Sequence, residues 1–305
     1  VILSFFKLKN YLKKNKIDIL VTSMTHTNIM AILIKFLYLK NLKIIIRESN
    51  TISLKYSYSK SLKDLFLNYL AKKLYKKANC VIAPTNIIKK DLINNYNVSL
   101  KKIQRIPNPY DIENIKKLAN EKVSKKDKKL LSFPYILSIG RLTYQKNYEL
   151  LINVFNYFHK NYLKYNKYKL YILGEGRNKK DLNKLINEYN LSKKILLLGY
   201  KKNPFTYMKH CKLFALFSRF EGHSNVLVHS QILNNKILSS SAKGANNEIL
   251  GKNGLIFYNN NKQKIAKKML NVLNKKKVNI SQENLFNKYD HKSILNKFEV
   301  TFNKV

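Results

Sequence analysis

A chain of 305 residues with 45% hydrophobic side chains is too long for one small core and reads as about two domains. Its formal charge of +42 would point to a polyanion if it were gathered on one surface, but lysines recur at nearly every helix and loop beside abundant Ile, Asn and Tyr. The excess therefore reads as a solvated face, and no nucleic-acid partner is expected. Cys80 and Cys211, far apart and each beside an apolar run, argue against a disulfide framework or a zinc centre and fit reduced thiols in a cytoplasmic protein, and no run reaches the ~20 apolar residues of a membrane span.

The first half alternates helices with short apolar strands. A helix over residues 1–14 feeds a strand at 17–22, which ends in the polar run Ser23-Met24-Thr25-His26-Thr27-Asn28 before a helix through Ile29, Leu33 and Leu37. A strand at 42–46 ends in Arg47-Glu48-Ser49-Asn50. From 61 to 77, Leu62, Leu65, Phe66, Tyr69, Leu70 and Leu74 fall at helical intervals among lysines, which predicts an amphipathic helix. Strands at 80–83 and 103–106 flank a helix from Asn86, and the half closes in Pro107-Asn108-Pro109-Tyr110-Asp111. This alternation predicts a parallel sheet covered on both faces, with a crevice at the carboxyl ends of its strands. Because the chain opens on a helix with no strand before it, an N-terminal piece is expected to be absent and this sheet to lack strands.

Residues 113–129 are lysine-rich and poor in bulky apolar side chains, and the alternation restarts after Pro134, which sets the domain boundary at 130/131. Strands at 135–139, 170–173, 195–198, 213–217 and 237–239, with helices at 148–159, 179–189, from Asn225 and at 262–273, predict a second doubly wound domain over 131–284. Residues 285–305 read as a last helix that packs back on the first domain.

Three loops of the second half carry the chemistry. Gly140-Arg141-Leu142-Thr143-Tyr144-Gln145-Lys146-Asn147 follows a strand, precedes a helix capped by Asn147, and offers a guanidinium fork and an ammonium point charge for a diphosphate. Leu173-Gly174-Glu175-Gly176-Arg177 is glycine-rich but fails as a dinucleotide fingerprint, because Lys179 stands at the third glycine position. Ser218-Arg219-Phe220-Glu221-Gly222-His223-Ser224-Asn225 leaves an apolar strand and enters a helix, capped by Ser224 or Asn225, whose N-terminus favours an anion. Taken alone, that stretch also fits a strand-turn-helix with one exposed acid. Arginine stands only at 47, 105, 141, 177 and 219, and four of these, 47, 141, 177 and 219, fall at strand-to-loop junctions, which fits either a use for the planar fork that lysine lacks or chance among five residues.

These loops, in this order, with Leu198-Gly199-Tyr200 and Asn247-Glu248-Ile249-Leu250, resemble glycosyltransferase family 4 over residues 135–257. Asp18-Ile19-Leu20, Ala78-Asn79-Cys80-Val81-Ile82 and Ile106-Pro107-Asn108-Pro109-Tyr110-Asp111 resemble it less specifically. The resemblance implies an α/β GT-B fold, two Rossmann-like doubly wound parallel-sheet domains facing a cleft, with the acceptor-side domain incomplete. It implies that Arg141 and Lys146 hold the diphosphate and Glu221 the sugar hydroxyls. Gly140, Gly174, Tyr200, Gly222, His223, Ser224 and Asn225 complete the donor site. The family's second Glu, which grips the ribose, is His229 here, and one imidazole acceptor replaces two carboxylate oxygens. His26 and Glu48 are weaker acceptor-side candidates.

The expected activity is retaining transfer of a hexose or N-acetylhexosamine from a nucleoside-diphosphate sugar, UDP by preference, to a glycan or lipid-linked oligosaccharide. No cofactor and no metal are expected, since no Asp-x-Asp pair is present. The expected place is the cytoplasm, with an anionic membrane face as a further partner through basic helices such as 61–77. The rival readings are a degenerate, inactive relative, motivated by His229, and a basic nucleic-acid-binding protein, motivated by charge alone.

Overall fold

In the computed structural model, which describes residues 2–59, 61–275 and 280–305, the chain divides into two units: Val1–Pro109 with His291–Val305, and Tyr110–Asp290. Val1, the expected first residue of the opening helix, lies outside the described residues.

The first unit runs α1 (Ile2–Lys14), β1 (Ile19–Ser23), α2 (Thr25–Leu37), β2 (Lys43–Arg47), α3 (Ile52–Ser57), α4 (Leu62–Leu74), β3 (Cys80–Ala83), α5 (Asn86–Tyr96) and β4 (Ile103–Arg105). Its four strands pair in parallel in the order β1-β2-β3-β4. Ile44, Ile45 and Ile46 are all fully buried, as expected where both faces of a parallel sheet are covered. Ile44 and Ile46 join one core with Ile29, Ile32 and Leu92, while Ile45 joins Cys80, Ile82, Ile106 and Ile294 in another. Burial pushes the Cys80 thiol up to about 11, which leaves it inert. β1 forms an edge of the described sheet and is only partly covered, with Val21 exposed. The Thr25–Asn28 run is the first turn of α2, not the loop expected: Met24 takes φ 79°, which turns the chain directly from β1 into the helix.

The second unit runs α6 (Ile112–Ala119), α7 (Lys125–Leu131), β5 (Tyr135–Ile139), α8 (Tyr148–Asn161), β6 (Lys169–Leu173), α9 (Lys179–Glu188), β7 (Ile195–Gly199), α10 (Phe205–His210) and β8 (Leu213–Leu216). It continues through α11 (Asn225–Ile232), β9 (Ile237–Ser240), α12 (Ala245–Leu250), β10 (Leu255–Phe257), α13 (Lys262–Asn274) and α14 (Gln282–Tyr289). The all-parallel sheet has the order β10-β9-β8-β5-β6-β7. The winding reverses between β5 and β8, and doubly wound sheets bind ligands beyond the carboxyl ends of the strands at that point.

Two boundaries differ from the sequence reading. The division falls at 109/110 rather than 130/131, because Ile112, Ile115 and Ala119 form one buried stripe on α6 despite the lysines between them, and Ile112 and Ile115 join the second unit's core. The last helix is two: the backbone extends at Asp290 (ψ 139°), so that α14 ends in the second unit and α15 (His291–Asn303) belongs to the first.

Candidate active site

The carboxyl ends of β5 and β8 are neighbours in the sheet, and their loops are tied to each other. Arg219 N–H donates to the Gln145 carbonyl at 2.8 Å, and Gln145 Nε2 donates to the Phe220 carbonyl at 3.0 Å. Across this junction Lys146 Nζ meets Glu221 Oε1 at 2.5 Å, and Ser218 Oγ donates to the same oxygen at 2.7 Å. Both charged side chains are largely enclosed, with 14% and 6% of their surface exposed, so the pair feels a medium less polar than water. The geometry holds an ammonium and a carboxylate in fixed register at the switch point.

Glycine is required here by close approach. A Cβ on Gly140 would stand 3.0 Å from Lys146 Cε, one on Gly174 2.1 Å from the Gly140 carbonyl oxygen, and one on Gly176 2.3 Å from the Leu142 carbonyl oxygen. The two loops are laced by Gly140 N–H to Leu173 O (2.9 Å), Leu142 N–H to Glu175 O (2.9 Å) and Asn178 N–H to Leu142 O (3.1 Å). The Gly-x-Gly loop therefore buttresses the 140–146 loop.

Beyond Gly222, Ser224 opens α11 as its N-cap residue, yet its buried Oγ makes no cap bond and has no hydrogen-bond partner among the described residues. The hydroxyl and the first turn of α11 thus lie at the same end of the sheet as the Lys146–Glu221 loops, at a helix end whose dipole favours an anion. Next to it lies an aromatic cluster: Tyr110 OH donates to Asn225 Oδ1 at 2.7 Å, stands 3.4 Å from His223 Nδ1, and its ring packs on His223, His229 and Tyr289. His229, one turn into α11, sits edge-on to Tyr110 and Phe205 at centroid distances of 5.3 and 5.1 Å. This burial pushes its pKa down to about 4, so the ring is neutral at physiological pH.

Of the residues singled out from the sequence, Gly140, Lys146, Gly174, Glu221, Gly222, His223, Ser224, Asn225 and His229 fall on these linked loops and α11. Arg141 shares the loop but is exposed, and its guanidinium has no hydrogen bond or ion pair among the described residues. Tyr200 is exposed beyond β7, at the far edge of the sheet. Asn147 adopts φ 52° and makes no side-chain cap for α8; its Oδ1 accepts from Arg219 Nη1 at 2.6 Å, and that guanidinium lies 4.1 Å over the Tyr144 ring. A planar cation that bonds and stacks at once explains an arginine where lysine is the rule. Ser218 and Gln145 stood in the loops read from the sequence and Tyr110 in one of its motifs without a role of their own, and Phe205 was not marked; Tyr110 reaches the site from 115 residues before Asn225.

In the first unit, His26 and Glu48 are not brought together. His26 is exposed on α2, whereas Glu48 is buried and accepts from Asn28 Nδ2 (2.8 Å) and from the Tyr75 hydroxyl. Burial raises its pKa to about 7 against the lowering pull of those two hydrogen bonds.

Two parallel-sheet α/β units are the architecture of GT-B glycosyltransferases, and the comparisons agree. Residues 119–289 match the family described as glycosyl transferases group 1 and residues 1–114 that described as glycosyltransferase family 4; the chain belongs to this family. It is 36% identical over 209 residues to the Campylobacter jejuni N-acetylgalactosamine-N,N'-diacetylbacillosaminyl-diphospho-undecaprenol 4-alpha-N-acetylgalactosaminyltransferase, covering 68% of this chain and 54% of that protein. It is 28% identical over 216 residues to the Staphylococcus aureus poly(ribitol-phosphate) alpha-N-acetylglucosaminyltransferase, covering 68% and 43%. The chain thus spans about half the length of the curated relatives it matches. Among solved structures, Anabaena HepE in complex with UDP and glucose shares the fold with a TM-score of 0.80 at 18% identity, over 99% of this chain and 81% of that one. No helix of the described residues is long and apolar enough to cross a membrane.

Proposed function

We propose that the second unit binds a nucleoside-diphosphate sugar, with UDP as the nucleotide, and that the protein transfers its hexose or N-acetylhexosamine with retention to a glycan or lipid-linked oligosaccharide at the cytoplasmic face of a membrane. The observation that carries this reading is the Lys146–Glu221 pair at the carboxyl ends of β5 and β8, beside the unpaired Ser224 hydroxyl at the start of α11. The activities of the Campylobacter and Staphylococcus relatives support the sugar and acceptor classes, and the UDP in the HepE complex supports the nucleotide.

As the glycosidic bond breaks, its electron pair leaves with the diphosphate, and the acceptor hydroxyl forms the new bond from the same face and passes its proton to the departing phosphate oxygen. Lys146 and the exposed Arg141 take up the charge that grows on the diphosphate, and Glu221 accepts from the sugar hydroxyls. Lys146 therefore acts more on the transition state than on the bound donor. Transfer is expected to survive chelation by EDTA.

The test is Lys146→Ala. Turnover should fall about a hundredfold while UDP affinity, read by calorimetry, falls far less. Normal turnover in that variant would remove the phosphate role. Tight UDP binding with no transfer to any acceptor in the unaltered protein would favour the degenerate relative. Binding of RNA that falls steeply with salt, with no response to UDP, would favour the nucleic-acid reading.

A further inference from the structure

Helix α4 shows solvent the face that a soluble helix turns inward. Leu62, Leu65, Phe66 and Tyr69 are spaced as i, i+3, i+4 and i+7 and are 83%, 50%, 61% and 57% exposed. The opposite face already does the packing: Ala71 is buried, and Leu67, Leu70 and Leu74 lie against the first unit's core. The helix is therefore apolar on two sides, and only one packs on protein among the described residues of this unit.

The charges beside the open side have one sign. Lys63, Lys72 and Lys73 lie on α4, Lys76 and Lys77 on the 3-10 turn that follows, and Lys73 Nζ stands 5.8 Å from the Tyr69 ring centre. The helix's acid, Asp64, accepts from Ser59 Oγ at 2.6 Å. What fits this surface must be apolar in depth and anionic at the rim. A second copy of a chain with formal charge +42 would set lysines against lysines, whereas an acidic phospholipid leaflet offers acyl chains beneath a sheet of phosphates.

We propose that α4 is a membrane-docking helix, which sinks Leu62, Leu65, Phe66 and Tyr69 into the headgroup–acyl boundary of an anionic leaflet while its lysines stay at the phosphates. This does not depend on the transferase reading, because it concerns another unit and is measured without turnover.

The chain contains no tryptophan, so Phe66→Trp introduces a single fluorescent probe on the exposed row. Vesicles of phosphatidylglycerol and phosphatidylcholine should shift its emission to the blue, and brominated acyl chains should quench it. Sedimentation of the unaltered chain with these vesicles should be at least tenfold stronger than with phosphatidylcholine alone and should weaken in 0.5 M salt. Leu65→Ser with Phe66→Ser should lower vesicle affinity at least tenfold without changing the unfolding midpoint or UDP affinity. Unshifted emission under conditions where the unaltered chain sediments would overturn the proposal, as would normal vesicle binding by the double variant. A dimer dissolved by the same two substitutions, without vesicle binding, would assign the face to a second copy instead.

Discussion

Replacing His229 by Glu restores the residue that the family carries at this place, but it does so among the rings of Tyr110 and Phe205. The drop of the imidazole from its ordinary 6.5 to about 4 is worth about 3 kcal/mol against a charge at this position. A carboxylate meets similar resistance, so its folded pKa rises and the variant loses roughly that much stability once the pH exceeds it, about 6 to 12 °C in unfolding temperature for a unit of this size. Bound UDP reverses the balance. Each ribose hydroxyl donated to the carboxylate contributes about 1.5 to 3 kcal/mol, and a net gain of only ~1.4 kcal/mol is tenfold in affinity. The expected result at pH 8 is a less stable free variant that binds UDP at least tenfold more tightly. Near pH 6.5 binding should also release a proton, detected by calorimetry in two buffers of different ionisation enthalpy. His229→Gln, neutral throughout, should show neither effect. A destabilised Glu variant whose UDP affinity is unchanged or weaker would mean that α11 does not face the ribose.

Glu48, raised from 4.5 to about 7 by burial, favours the protonated fold, so its contribution is full below 4.5 and is lost as pH rises through 7, by about 3 kcal/mol. Glu48→Gln keeps an acceptor for Asn28 and Tyr75, and its urea midpoint relative to the unaltered chain should be higher at pH 8.5 than at pH 4.5; a pH-independent difference would refute the assignment. His229 acts in the other direction, since its depressed pKa costs stability as pH falls from 6.5 towards 4, and His229→Gln should flatten that acid limb in thermal unfolding. Gly174→Ala places a methyl 2.1 Å from a backbone oxygen and should cost about 3 kcal/mol or more in denaturant unfolding; a loss below ~1 kcal/mol would show that the two loops part freely.

The loops that meet at the switch point were legible because their signals are local: glycines and charges at fixed spacing between a strand and a helix, all within eight residues on the 140–147 loop. Their laced backbone was not, since Gly174 and Gly140 meet only once β5 and β6 pair. Tyr110 was read as the end of a strand-to-loop run, because nothing near it in sequence announces Asn225 or His229. Periodicity put Leu62, Leu65, Phe66, Tyr69, Leu70 and Leu74 on one stripe, but the fold splits it: Leu70 and Leu74, with Leu67 and Ala71, meet the core, and the other four stay exposed. The boundary was misplaced for a related reason. Lysines with buried stripes between them look like a linker when counted and like a helix when spaced.

The first unit closes with residues that follow the whole of the second. Ile294 of α15 is fully buried with Ile45, Ile82 and Ile106, and Phe298 and Phe302 extend that cover. During synthesis, then, the ribosome delivers residues 110–290, which complete a continuous unit, before the first sheet receives one of its two faces. The usual order, in which the leading domain is finished first, is inverted here. Until α15 emerges, Ile45, Ile82 and Ile106 stand uncovered on the nascent chain, and that interval is when a holding chaperone has a surface to grip.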